Sequence, residues 1–139
     1  MTVDHIGIAV RSLDDAIETF VGLFGLTGGE REDLAGDGVR MAFLAADNLH
    51  LEFLEPLGDG PIMRFLATRG EGVHHVAFLV DDIVQALARA RADGFRLVDE
   101  HPRLGARGRL IAFLHPKSAH GVLIELVQNP PPAPPPSTP

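Results

Sequence analysis

The chain has 139 residues, enough for one domain with a sizeable core and too few for two full-sized ones. It has no cysteine, which excludes a disulfide scaffold, a thiolate nucleophile and a Cys-ligated zinc or iron–sulfur centre, so any metal must sit on histidine and carboxylate. A net charge of −7 without Trp or Tyr argues against nucleic-acid partners; the absence of an 18-residue apolar run or a basic-flanked signal segment argues against membrane partners and predicts a cytoplasmic protein.

Residues 3–10 alternate and are rich in β-branched side chains, which predicts a strand with His5, Gly7 and Ala9 on one face and Ile6, Ile8 and Val10 on the other. Ser12 then precedes Ile17, Phe20, Val21 and Phe24 at helical spacing, a pattern for a short amphipathic helix stopped near Gly25. Residues 39–44 and 49–54 read as a hairpin across Asp47-Asn48. Residues 61–68 read as a connecting helix, with Pro61 in the first turn, where proline is tolerated.

The same order then returns. VDHIGIAVRSLDDAI from Val3 aligns with VHHVAFLVDDIVQAL from Val73 at an offset of 70, pairing His5 with His75 and Ala16 with Ala86. Ala42-Phe43-Leu44 aligns with Ala112-Phe113-Leu114 at that offset, and Leu51-Glu52-Phe53 falls on Ile124-Glu125-Leu126 after a three-residue insertion. Asp82 opens the second helix, which carries Ile83, Leu87 and Ala90 and stops near Gly94. One module is used twice. The pattern predicts an α+β fold of paired βαβββ modules forming a curved, partly open, eight-stranded barrel-like sheet with helices outside. Its divisions are module one at about 3–57, a linker helix at about 60–69 and module two at about 73–128, within one domain over 1–128. Residues 129–139 include PPPAPPPSTP, whose seven prolines predict a disordered tail.

In each module the first strand offers one His and the last strand one Glu. A lone histidine on a strand face is ordinarily a hydrogen-bonded core residue, and a glutamate can point outward from an edge strand. Glu52 and Glu125, however, sit inside the apolar strings HLEFLE and VLIELV, where an ionised carboxylate is costly without a cation or donor. Their recurrence at equivalent places makes His5, Glu52, His75 and Glu125 a candidate site for one divalent ion such as Co, Zn, Ni, Mn or Fe(II). Strand alternation turns His74 away from His75. The charge is unevenly spread: residues 1–100 carry 8 basic and 18 acidic side chains, whereas beyond them Arg103, Arg107, Arg109 and Lys117 face only Glu125. That region suits an anionic ligand.

The segments DHIGIAVRSLDDAI, GEGVHHVAFLVDDI, DEHPRLGARG and FLHPKSAHGVLIELVQ resemble the signature stretches of the vicinal oxygen chelate superfamily and, within it, of the methylmalonyl-CoA epimerase family. The resemblance spans residues 3–128. It implies metal ligation by His5, Glu52, His75 and Glu125, with Glu125 doubling as a base beside the substrate's α-carbon, and a homodimer acting on an acyl-CoA. It further implies interconversion of (R)- and (S)-methylmalonyl-CoA by 1,1-proton transfer, with Arg107, His115, Lys117 and Ser118 on loops that meet the substrate. The family's second catalytic Glu has no counterpart: its position is Gly36, and Asp37, one place later, is the candidate replacement. The alternatives are a glyoxalase I-like lactoylglutathione lyase acting on a glutathione adduct, a ring-cleaving dioxygenase and a non-catalytic binding protein.

Overall fold

The computed structural model describes residues 1–137. Its first half runs β1 (Thr2–Ala9), α1 (Leu13–Phe24), β2 (Thr27–Leu34), β3 (Val39–Ala45) and β4 (His50–Pro56). After α2 (Pro61–Arg69) the second half repeats the order as β5 (Gly72–Leu79), α3 (Ile83–Ala92), β6 (Arg103–Leu104), β7 (Leu110–Leu114) and β8 (Ile124–Gln128). The eight strands make one curled mixed sheet in the order β2-β3-β4-β1-β5-β8-β7-β6, a half-barrel with α1 and α3 outside. The α+β architecture of paired βαβββ modules expected from the sequence is therefore present.

The halves meet along their first strands. β1 and β5 are antiparallel neighbours, and each also pairs in parallel with the last strand of its own module, β1 with β4 and β5 with β8. The period-two pattern of the strands explains both faces of the sheet. Outward-facing Leu44 and Phe53 pack with Leu13 and Phe20 of α1, and Leu114 and Leu126 pack with Ile83 and Leu87 of α3. Both helices start on equivalent caps: the Ser12 hydroxyl accepts from the Asp15 amide at 3.2 Å and the Asp82 carboxylate from the Gln85 amide at 3.0 Å. On the concave side, Val39, Met41, Phe43 and Leu54 pack against Ile62 and Leu66 of α2, which closes one end of the trough.

Two strands fall where the sequence offers no strand pattern. β2 reads TGGEREDL and lies at the sheet edge, paired only with β3, so one long side faces solvent and apolar alternation is not required. β6 is two residues long and is followed by a single 3₁₀ turn, Ala106–Gly108, within the segment that reads as a loop. Residues 129–137 are exposed and form no regular element. The proline-rich tail expected over 129–139 extends beyond the described residues at 138 and 139. No helix among the described residues is long and apolar enough to cross a membrane.

Candidate metal centre

The seam between β1 and β5 sets the site. His5 lies opposite Ala77 and His75 opposite Gly7, so each imidazole crosses the seam over a small residue on the other strand. A side-chain carbon on Gly7 would collide with the His75 ring itself. The space beside Gly7 is thus filled by the His75 ring. The parallel neighbours add the carboxylates, Glu52 of β4 beside Gly7 and Glu125 of β8 beside Ala77.

All four side chains are buried, with only 1, 5, 3 and 5 % of His5, Glu52, His75 and Glu125 exposed. One donor atom from each lies within 4.8 Å of all the others. The His5 and His75 Nε2 atoms are 3.1 Å apart, and Glu125 Oε2 is 3.0 Å from the first and 2.8 Å from the second. Glu52 Oε1 stands 3.6 and 3.5 Å from the same nitrogens. Donors about 2.1 Å from a common ion lie roughly 3.0 Å apart when adjacent in an octahedron, so this spacing fits one small divalent cation. The chemistry fits as well: two carboxylates are shut away from water, and two imidazole nitrogens face each other. A shared cation satisfies both conditions.

Behind each histidine of the cluster, a β-bulge supplies a partner for the other ring nitrogen. The β1–β5 register slips once around Asp4 and once around His74, so each strand inserts one extra residue beside its histidine. Asp4 meets His5 Nδ1 at 2.7 Å and His74 Nδ1 meets His75 Nδ1 at 2.9 Å. Strict alternation fails at the second bulge, and His74 turns to the concave side instead of away from it. The two backings differ in charge. Arg109 clamps Asp4 through both terminal nitrogens at 2.9 Å, so the His5 side ends in a carboxylate and a guanidinium. Burial, helped by the charge of His75, pushes His74 down to about 4, so the His75 side ends in a neutral ring. Burial alone would depress His5 too, but hydrogen bonds to Asp4 and Glu125 and the charge of Glu52 raise it to about 9. Burial works to raise Glu125, and hydrogen bonds from His5 and His75 overcome it, holding the carboxyl at about 2.

The cluster lines a cavity of about 100 Å³ whose remaining wall is mostly apolar, with Leu34, Val39, Met41, Ile111 and Phe113 among its members, and carries Asp37, His74, Arg103 and Arg109 as its polar groups. Asp37, the candidate second base, is on this wall. Arg103 holds it, one terminal nitrogen donating to both carboxylate oxygens at 3.0 and 2.9 Å. Arg107, His115, Lys117 and Ser118 are not on the wall. Arg107 lies outside it with its guanidinium 4.0 Å from the centre of the Phe43 ring. His115 Nδ1 accepts from the Lys117 amide, and the Ser118 hydroxyl accepts from the Arg96 amide. Arg103 and Arg109, which the sequence marks as part of a basic region, stand on the wall with His74, and both are paired with carboxylates, Arg103 with Asp37 and Arg109 with Asp4. No signal in the sequence marks Asp4 for the site.

A family-level match covers residues 4–113 and describes the glyoxalase/bleomycin resistance protein/dioxygenase superfamily. The chain belongs to this superfamily. Its resemblance to the methylmalonyl-CoA epimerase branch is borne out by the relatives. A protein of Dictyostelium discoideum named mitochondrial methylmalonyl-CoA epimerase is 36% identical over 129 residues, 91% of this chain and 78% of its own length. The crystal structure of methylmalonyl-CoA epimerase from Mycobacterium tuberculosis superposes with a TM-score of 0.89 at 39% identity, over 94% of this chain and 89% of that one. A methylmalonyl-CoA epimerase solved with methylmalonyl-CoA and an ammonium ion superposes with a TM-score of 0.86 at 40% identity, covering 91% and 93%.

Proposed function

We propose that the protein is a metal-dependent epimerase that interconverts (R)- and (S)-methylmalonyl-CoA by 1,1-proton transfer. The observation that carries this reading is the buried Glu125 carboxylate, set among the four donors on the wall of a small, mostly apolar cavity in a chain whose relatives bear that name. Held by His5, Glu52, His75 and Glu125, a divalent ion supplies fixed positive charge against the anionic charge that develops when a proton leaves a carbon beside a carbonyl.

The chain's own groups handle the proton. Inversion needs removal from one face of the α-carbon and delivery to the other, so two carriers are required. Glu125 is proposed as the first and Asp37, on the same cavity wall, as the second. The two hydrogen bonds from Arg103 hold the Asp37 carboxylate in place on the cavity wall. The apolar part of the wall, Val39, Met41, Ile111 and Phe113 among it, would limit water at the carbanionic stage once substrate fills the cavity. Arg107, His115, Lys117 and Ser118 are proposed to meet the parts of the substrate that project from the cavity.

The test is incubation of the metal-loaded protein with one epimer in deuterated water. Deuterium at the α-position with appearance of the other epimer is expected. Absence of both with every first-row divalent ion tried would refute the reading, and turnover of a methylglyoxal–glutathione adduct in its place would assign the site to lactoylglutathione lyase chemistry.

A further inference from the structure

Outside the four-donor cluster, the cavity wall has four polar groups, Asp37, His74, Arg103 and Arg109. Three of them are engaged with one another or with a neighbour. Arg109 spends both terminal nitrogens on Asp4. Arg103 is held between Asp37 and Asp99, one oxygen of which lies 3.5 Å from its Nε. His74 is different. It has no carboxylate partner: its Nδ1 meets His75 Nδ1 at 2.9 Å, and Nε2 has no hydrogen-bond partner among the described residues. Arg109 Nε is the one buried, unpaired side-chain polar atom among those residues, so His74 Nε2 is not shut away and faces accessible space.

The neighbour decides which nitrogen of His74 carries the hydrogen. Two imidazole nitrogens 2.9 Å apart share one hydrogen, so one ring donates and the other accepts. For His75 to offer its Nε2 lone pair to an ion, its own hydrogen must be on Nδ1. His75 then donates, His74 Nδ1 accepts, and the hydrogen of the His74 ring is on Nε2. The two halves of the site differ here. Behind His5 stands Asp4, a carboxylate that only accepts; behind His75 stands a ring that accepts on one edge and donates from the other.

The fold holds that ring at a set angle. Phe65 of α2, itself packed against the core, meets it edge-on at 5.0 Å, and the His75 ring stands at 87° to it on the other side. The bulge in β5 brings the whole side chain to the concave face. A fixed N–H on a mostly apolar wall is the arrangement that stabilises charge developing on a substrate oxygen, because it need not reorganise when the charge appears.

We propose that His74 is a catalytic hydrogen-bond donor whose Nε2–H meets the thioester carbonyl oxygen of the acyl-CoA and stabilises the negative charge that gathers there as the α-proton leaves. This assignment rests on the epimerase reading for its substrate, but its spectroscopic test does not depend on turnover.

The first measurement uses zinc-loaded protein labelled with ¹⁵N-histidine. Long-range ¹H–¹⁵N correlations, with His74 assigned by its loss in His74→Gln, should show the hydrogen on Nε2, and added methylmalonyl-CoA should move that proton downfield. A hydrogen on Nδ1, or an Nε2–H resonance that stays put while those of other wall residues move, would overturn the assignment. The second measurement is kinetic, at saturating metal so that a weakened His75 does not leave the site empty. His74→Phe keeps a ring against Phe65 but neither accepts nor donates, and its turnover number should fall about 10²-fold with KM changed far less. His74→Gln, whose amide both accepts and donates, should restore most of the rate. A residue that only backs His75 would show its loss in metal affinity alone, so wild-type turnover by His74→Phe at saturating metal would also refute the donor. If the wild type itself interconverts no epimers, the epimerase reading fails, and the response of the Nε2–H resonance to the acyl-CoA still decides the role of His74.

Discussion

Arg109 grips Asp4 with both terminal nitrogens at 2.9 Å, and Asp4 touches His5 Nδ1 at 2.7 Å, so a guanidinium two layers back sets how a metal-cluster histidine presents its other nitrogen. With an ion bound, this pair would keep the proton on Nδ1 and leave the Nε2 lone pair to the ion. Arg109 Nε is buried and has no partner among the described residues, which marks the residue as placed for this grip at some cost.

Breaking the grip should therefore weaken metal binding without emptying the core. Asp4→Asn and Arg109→Gln are expected to lower affinity for a divalent ion by about 10- to 100-fold. Competitive titration against a chromophoric chelator measures it. Unchanged affinity in both variants would contradict the relay.

Gly7→Ala tests the crossing of the seam. The added methyl meets the His75 ring, so that ring must shift away from the cluster. A loss of about 1–3 kcal/mol in stability is expected, as for overpacking in a core, together with reduced metal content by elemental analysis. Normal metal content in a folded variant would show that the ring has another place to go.

Titration of the metal-free protein should show a narrow stable range. His5 is raised from 6.5 to about 9, so its contribution is complete below 6.5 and fades as pH rises through 9. Glu125 is lowered from 4.5 to about 2, so its contribution is complete above 4.5 and fades as pH falls through 2. Between 4.5 and 6.5 both are in place, and thermal unfolding scans should peak there. Metal uptake at neutral pH should release protons, read by calorimetry in buffers of different ionisation enthalpy.

The two proposed proton carriers can be separated by isotope. Glu125→Gln should lose epimerisation by about 10²–10⁴-fold. Asp37→Ala should keep α-proton exchange with solvent from one epimer while losing inversion, because the first carrier still works and the opposite face has none. Chiral analysis of deuterated product reads both. Full inversion in Asp37→Ala would remove Asp37 from the mechanism.

Much of this arrangement is legible in the sequence because the chain states it twice. The offset of 70 pairs His5 with His75, and the insertion in the second hairpin accounts for Glu52 and Glu125. Alternation along β1 then puts His5, Gly7 and Ala9 on one face. What local pattern does not carry is pairing. The bulges at Asp4 and His74 exist only between β1 and β5, so neither the Asp4–Arg109 clamp nor the concave placement of His74 follows from spacing along one strand. β2 is hidden for another reason: an edge strand with a solvated face can be written TGGEREDL. The Arg103–Asp37 bond joins residues from opposite halves, and only the closed trough brings them together.

The antiparallel seam of β1 and β5 has a mechanical meaning. Each half contributes one nitrogen and one carboxylate, so neither half alone offers more than two donors. An ion seated there acts as a rivet through the boundary between the repeats. With it in place the halves should open together and slowly. Without it, hydrogen exchange should find a fault line running down the middle of the sheet.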